Sequence, residues 1–316
     1  MTRPETHLAR RDFRAMGTEC SVLVYGDDSR VESLADLARR RVDLLESLWS
    51  RFQNDSELSR LNARSGQGAI AVSAETEALV RAMRSGWERT AGAFDPSVLA
   101  AITAAGYDRD FSQVVARDYV AGVAAHAPGM AEVRVEDRRV CLPQGVGVDP
   151  GAIGKGLAAD IVVDEMMEAG AMGVLVDLGG DIAFAGCPGR ESHWRIALHD
   201  ERQGRPDVGV LSDRHYLVAA GIDHAGIATS TTLTRRWAEG RHHVIDPASA
   251  RSTDETLVQV TVAGTRAWEC EVWATAVLVR PTLAVQGLPE DLRCLALDAT
   301  SVVRDDFQHN REEQVA

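Results

Sequence analysis

The stretch Val148–Asp160, VDPGAIGKGLAAD, sets an acid, a proline, three glycines and one lysine ahead of a helix-like run. Glycines and a lysine before a helix suggest an anion cradle, because the free N–H groups of a helix N-terminus favour negative charge. The spacing fits neither common nucleotide signature. A P-loop needs Ser or Thr after Gly-Lys, and here the residues are Gly154-Lys155-Gly156. The dinucleotide fingerprint needs a different glycine spacing from that of Gly151, Gly154 and Gly156. A tight strand-to-helix connection would use the same residues.

Four other stretches carry chemistry-bearing residues. Asp177-Leu178-Gly179-Gly180-Asp181 is a glycine turn with a carboxylate at each end, which also reads as a plain hairpin turn. In Ala228-Thr229-Ser230-Thr231-Thr232 a small-residue strand runs into consecutive hydroxyls, able to satisfy backbone groups or phosphate oxygens. Arg241–Pro247 holds a pair of adjacent histidines, and His243 before an Asp-Pro turn could serve as a general base. Glu271 and Thr275 lie one turn apart on an apolar helix, so their oxygens share a face and suit Mg²⁺; a helix N-cap network is the plainer alternative.

Elements must position these groups. Phe13–Tyr25 reads as one strand ending at Gly26-Asp27-Asp28, and Ser29–Trp49 as an amphipathic helix carrying Val31, Leu34, Leu37, Val42, Leu45 and Leu48. A short helix follows Asp55-Ser56. Another starts at Ser73, with acids in its first turn, and stops at Gly92. Ala131–Leu142 alternates like a hairpin, and a helix spans about Lys155–Ala169. Later strands are expected at 173–176, 182–185, 194–198, 216–220, 227–229, 257–262, 294–297 and 301–303, with a helix at Arg266–Val279 before Pro281. Strands that follow strands favour an α+β fold with mixed or antiparallel sheets. The whole chain reads as a single domain over 1–316, with 305–316 a frayed acidic tail.

Composition narrows the partners. The net charge of −13 disfavours nucleic acid and anionic lipid, and means an anionic ligand needs local cations or backbone N–H groups. Five scattered cysteines make neither a disulfide framework nor a metal knuckle, so reduced, mostly buried thiols are expected. The N-terminus MTRPETHLARRDFRAMGT lacks an apolar signal core and no stretch is long enough to span a bilayer, so a cytoplasmic protein without membrane insertion is expected.

The order of the pieces resembles a known family. Met16-Gly17-Thr18, Ser56–Asn62, Gly92–Val98, Asp149–Gly156, Leu178–Asp181, Ala228-Thr229-Ser230, His243–Pro247 and Ala274-Thr275-Ala276 together are similar to the ApbE family of FAD:protein FMN transferases, across nearly the whole chain. The resemblance implies two intertwined parts with the flavin site between them. It implies an enzyme that takes FAD and Mg²⁺, attaches FMN to a Thr or Ser hydroxyl of an acceptor flavoprotein, and releases AMP. By motif position it implies an FAD site of Met16, Phe52, Ala93, Phe94, Asp95, Asp149, Lys155 and Ile245. Metal ligation would come from the Ala152 carbonyl, Glu271 and Thr275, and the base would be His243 or Asp181. The family usually carries Asp where this chain has Glu271, and Gly with an acid where it has Thr231-Thr232. An FAD pyrophosphatase giving FMN and AMP, or a flavin carrier without chemistry, are the alternative readings.

Overall fold

The computed structural model describes residues 7–27, 30–114, 129–188, 193–203, 216–220, 222–238 and 240–307. Its centre is an eight-stranded sheet in the order His7–Ala15, Thr18–Gly26, Gly173–Leu178, Ile182–Gly186, Ile222–Thr231, Gln259–Gly264, Arg293–Leu297 and Val302–Asp305. Every neighbouring pair is antiparallel, which settles the sheet type within an α+β fold.

Alternation along the strands decides which face each element covers. Val174, Val176, Ala183, Ala185, Val260, Val262, Cys294 and Ala296 point into the larger core with the helices. Phe184, Ile227, Leu295 and Leu297 point the other way, under Trp194 and Ile196 of the hairpin 193–197/216–220. Small residues on the helical side let helices lie close to the sheet, while larger ones fill the side covered by a hairpin.

Among the described residues seven helices supply the other layer: α1 (Val31–Trp49), α2 (Glu57–Ala63), α3 (Ala74–Arg89), α4 (Leu99–Ala104), α5 (Gly154–Glu168), α6 (Ala267–Val279) and the short α7 (Leu283–Gln286). Of the α1 stripe expected from spacing, Val31, Leu34, Val42 and Leu45 are buried and Leu48 half-buried, while Leu37 is exposed and Ala35 and Ala38 take its place against the core. The α3 cap is as expected, with Ser73 Oγ accepting the Thr76 N–H at 3.1 Å. A smaller apolar cluster joins Ala101, Ile102, Ala105 and Tyr107 to Ile245 and Ala250, so segments distant in sequence interlock beside the sheet.

Two expectations change. The strand read as Phe13–Tyr25 is broken by a turn at Met16-Gly17, both with positive φ (50° and 72°), and the chain reverses into a hairpin. Strand-favouring residues on both sides hid that turn. The strand read as 227–229 extends over Ile222–Thr231 because it pairs on both edges. At the C-terminus Asp305 ends a strand and Phe307 is buried, while 308–316 lie outside the described residues. All five cysteines are free, and Cys20, Cys270 and Cys294 are buried.

Candidate active site

A cleft of about 1170 Å³ opens between the central strands of the sheet (Leu175, Ile182, Ile227), the Asp149–Lys155 loop and the segments around Tyr107 and His243. That is ample for a dinucleotide, since drug-sized ligands occupy roughly 300–1,000 Å³. Met16, Phe52, Ala93, Phe94, Asp95 and Asp149 line it, as do Lys155 and Ile245. The three residues expected to hold metal, Ala152, Glu271 and Thr275, line it too, together with His243. Asp181 does not. It is 1% exposed and stands behind Lys155 rather than on the wall.

The loop that carries Asp149 is gripped from the short helix α2. Asn62 Nδ2 donates to Val148 O at 2.9 Å, and Val148 N–H donates back to Asn62 Oδ1 at 2.8 Å. Ser56 caps α2 by accepting the Ser59 N–H at 3.0 Å, which holds Asn62 in place. Asp149 Oδ1 accepts the Gly151 N–H at 2.7 Å, and Arg51 Nε stands 2.8 Å from Asp149 Oδ2. Arg51 also lies 4.2 Å from the Phe52 ring centroid and 4.5 Å from that of Tyr107, forming an aromatic end to the cleft. Asp95 Oδ1 accepts from the Ser97 N–H and hydroxyl, shaping the opposite turn.

Past the loop, α5 and α6 meet nose to nose. Gly156 makes this approach possible: a Cβ there would lie 2.6 Å from the Ala267 carbonyl oxygen. The glycines of VDPGAIGKG all have negative φ, so the third serves helix packing rather than a left-handed turn. Gly179 is different; at φ +74° it needs the left-handed region, and a Cβ would meet the Thr18 hydroxyl at 2.2 Å.

Lys155 Nζ donates to both Asp181 Oδ2 and Glu271 Oε1, the latter at 2.8 Å. Burial works against its charge, but the two carboxylates outweigh it and hold the ammonium above the usual lysine range. Glu271 Oε2 accepts the Gly156 N–H at 2.8 Å, so this acid is also the N-terminal partner of α5. Burial, and then the nearby Asp181, raise its pKa against the pull of Lys155. Thr275 Oγ lies 3.1 Å from Ser230 Oγ. Among the described residues no three His, Cys, Asp or Glu side chains gather as a metal cluster, so any cation here would rest on mixed oxygen donors.

The adjacent histidines divide their roles. His242 is fully buried, with Nε2 3.2 Å from Thr253 O and Nδ1 accepting the Val244 N–H, so it is a core residue. His243 faces the cleft with a buried Nδ1 that has no partner. Burial first, then Arg235 and His242, push its pKa down to about 3, leaving a neutral imidazole able to accept a proton. Arg51, Tyr107 and Arg235 line the same cleft and were not singled out from sequence. Arg51 had a signal in its place next to Phe52; Tyr107 and Arg235 had none short of the fold.

A model of the ApbE family matches residues 16–295. An FAD:protein FMN transferase of Klebsiella pneumoniae (strain 342) is 30% identical over 279 residues, covering 85% of this chain and 77% of its own. One from Salmonella typhimurium is 29% identical over 285 residues, covering 86% and 79%. Among solved structures, the ApbE protein from Thermotoga maritima superposes with a TM-score of 0.82 at 21% identity, covering 95% of this chain and 97% of the other. Flavin transferase ApbE from Vibrio cholerae gives 0.77 at 21% identity, covering 96% and 98%. No helix among the described residues is long and apolar enough to cross a membrane.

Proposed function

The chain belongs to the ApbE family, and from that premise we propose that it transfers the FMN half of FAD, with Mg²⁺, to a Thr or Ser hydroxyl of an acceptor flavoprotein and releases AMP. The observation that carries this reading is the convergence on one cleft of an aromatic end at Phe52 and Tyr107, the Lys155 ammonium, the neutral His243 and the Glu271/Thr275 face. An aromatic end suits a planar ring, and the charged centre suits a pyrophosphate.

The donors fit a hard divalent cation. Glu271, Thr275 and the Ala152 carbonyl offer oxygen alone, the buried Asp181 Oδ1 beside them has no partner, and Lys155 already sits where the two carboxylates draw positive charge. Bound there, Mg²⁺ would supply neutralisation of charge on the transferring phosphoryl group.

The protein's own groups do the rest. Met16 and Phe52 bound the ring end, Asp149 is held rigid between Arg51 and the Gly151 N–H, and Lys155 faces the phosphates. His243 is the group placed to take the proton of an incoming hydroxyl. Asp181, shielded by Lys155, sets the lysine rather than acting as base. The test is incubation with FAD, Mg²⁺ and a candidate acceptor. AMP with flavin fluorescence on the acceptor band supports transfer. AMP without labelling reduces the activity to hydrolysis, and FAD retained without AMP leaves a carrier.

A further inference from the structure

Five Lys and Arg side chains line the cleft among the described residues, and four of them are engaged. Arg14 pairs with Glu19 at 3.0 Å, Arg51 with Asp149 at 2.8 Å, and Lys155 with Asp181 and Glu271. Arg195 has an interaction of its own. Arg235 is the fifth, and its guanidinium has no hydrogen bond or ion pair among the described residues. Asp110 is close enough to feel the charge, but its Oδ1 is taken up by the Ser112 N–H and hydroxyl.

Its placement is central. The Arg235 carbonyl accepts the His243 N–H at 3.2 Å, so the two residues are locked by backbone whatever the side chain. The guanidinium reaches over the Met16-Gly17 turn, where a Cβ on Gly17 would lie 4.0 Å from Nη2. Its charge lowers the pKa of both His243 and Lys155, so it stands near both. A half-buried, unpaired cation in a protein of net charge −13 has abundant acids available elsewhere. No acid among the described residues takes this guanidinium, so an anion entering the cleft meets it uncommitted.

We propose that Arg235 is a catalytic residue that grips the pyrophosphate of FAD with its forked N–H donors and stabilises the charge that builds on the flavin-side phosphate during transfer. This rests on the transferase reading above. In that step the acceptor oxygen forms a bond to the flavin-side phosphorus as the P–O bond to AMP breaks. The electron pair leaves on the AMP phosphate oxygen and the hydroxyl proton passes to His243. Arg235 neither gives nor takes a proton; it holds oxygens whose charge rises in the transition state.

Arg235→Met and Arg235→Lys test this through flavin fluorescence with FAD and with riboflavin, which lacks phosphate, alongside transfer kcat. Removing a charged hydrogen-bonding group should weaken FAD binding about 10- to 100-fold in Arg235→Met, with riboflavin affinity unchanged. Transfer kcat should fall by about 100-fold or more, and Arg235→Lys should recover FAD affinity better than kcat, since a point charge does not replace the fork. The guanidinium holds no protein group, so thermal unfolding should not move. FAD affinity and kcat both at wild-type values would overturn the proposal, as would equal losses for FAD and riboflavin. A wild-type protein that binds no FAD would instead sink the transferase reading and this inference with it.

Discussion

Asp160 and Glu271 each cap the helix that carries the other. Asp160, in the second turn of α5, accepts the Ala267 and Trp268 N–H groups of α6, both at 3.0 Å. Glu271, in the second turn of α6, accepts the Gly156 N–H of α5 at 2.8 Å. The exchange pins the two helix N-termini together, so the loop carbonyls before α5 and the Glu271/Thr275 face keep one geometry.

Breaking one half of that exchange should be costly at a distance from the cleft. Asp160→Ala leaves two buried N–H groups unpaired, for about 2–4 kcal/mol of stability. It also frees α6 to drift, so flavin transfer should fall even though Asp160 touches no substrate. Urea unfolding of Asp160→Ala beside Asp160→Asn checks this. A loss below about 0.5 kcal/mol in the alanine variant would mean the caps are incidental.

His243 gives a pH prediction. Its folded pKa of about 3 lies below the ordinary histidine value of 6.5, so between those limits the unfolded chain binds more protons. Stability should therefore rise with pH from about 3 to 6.5, and part of that slope should vanish in His243→Gln. The imidazole ¹⁵N signals of His243, assigned by their loss in the variant, should not titrate between pH 5 and 8 in the ligand-free protein. Titration near 6.5 would show that the imidazole is hydrated and not held neutral. Bound pyrophosphate adds negative charge and should move the value upward.

The helices were readable in sequence because their signals are local. The α1 stripe and the Ser73 cap of α3 need no partner to be seen. The Met16-Gly17 reversal was hidden because β-favouring residues on both sides look like one strand, and only pairing shows the turn. Family motif picked out residues most of which line one cleft, yet what they do to one another was not legible. That Asn62 grips Val148, and that Glu271 serves α5, depends on contacts across 86 and 115 residues of chain. No periodicity encodes such contacts. Arg235 escaped notice for the same reason: an arginine is unpaired only relative to a finished fold.

Asn62 should act through the loop it grips. Asn62→Ala leaves the Val148 N–H and carbonyl without their side-chain partner, for about 1–3 kcal/mol. Since Asp149 follows directly, FAD affinity should drop further than Mg²⁺ affinity, because of the three expected metal donors only the Ala152 carbonyl sits on the gripped loop. Separate titrations of FAD and Mg²⁺ distinguish the two. Equal losses of both would mean that the loop and the α6 face respond as one unit.

Lys155 is the strongest lever on the centre of the cleft. Lys155→Met leaves Asp181 and Glu271, each 2% exposed at the side chain, facing one another without a cation. Breaking a buried pair by removing one partner costs about 3–5 kcal/mol, so the variant should melt well below wild type at neutral pH. The sign with pH follows from the carboxylates. The folded pKa of Glu271 stands above its ordinary value because of burial, so the penalty should shrink as pH falls and a proton replaces the ammonium. Mg²⁺ should do the same at constant pH, raising the melting temperature of Lys155→Met more than that of wild type, because the ammonium no longer competes for Glu271. Calorimetry across pH and Mg²⁺ reads both effects without any turnover. A variant whose stability ignores both would show that the two acids are not a cation site.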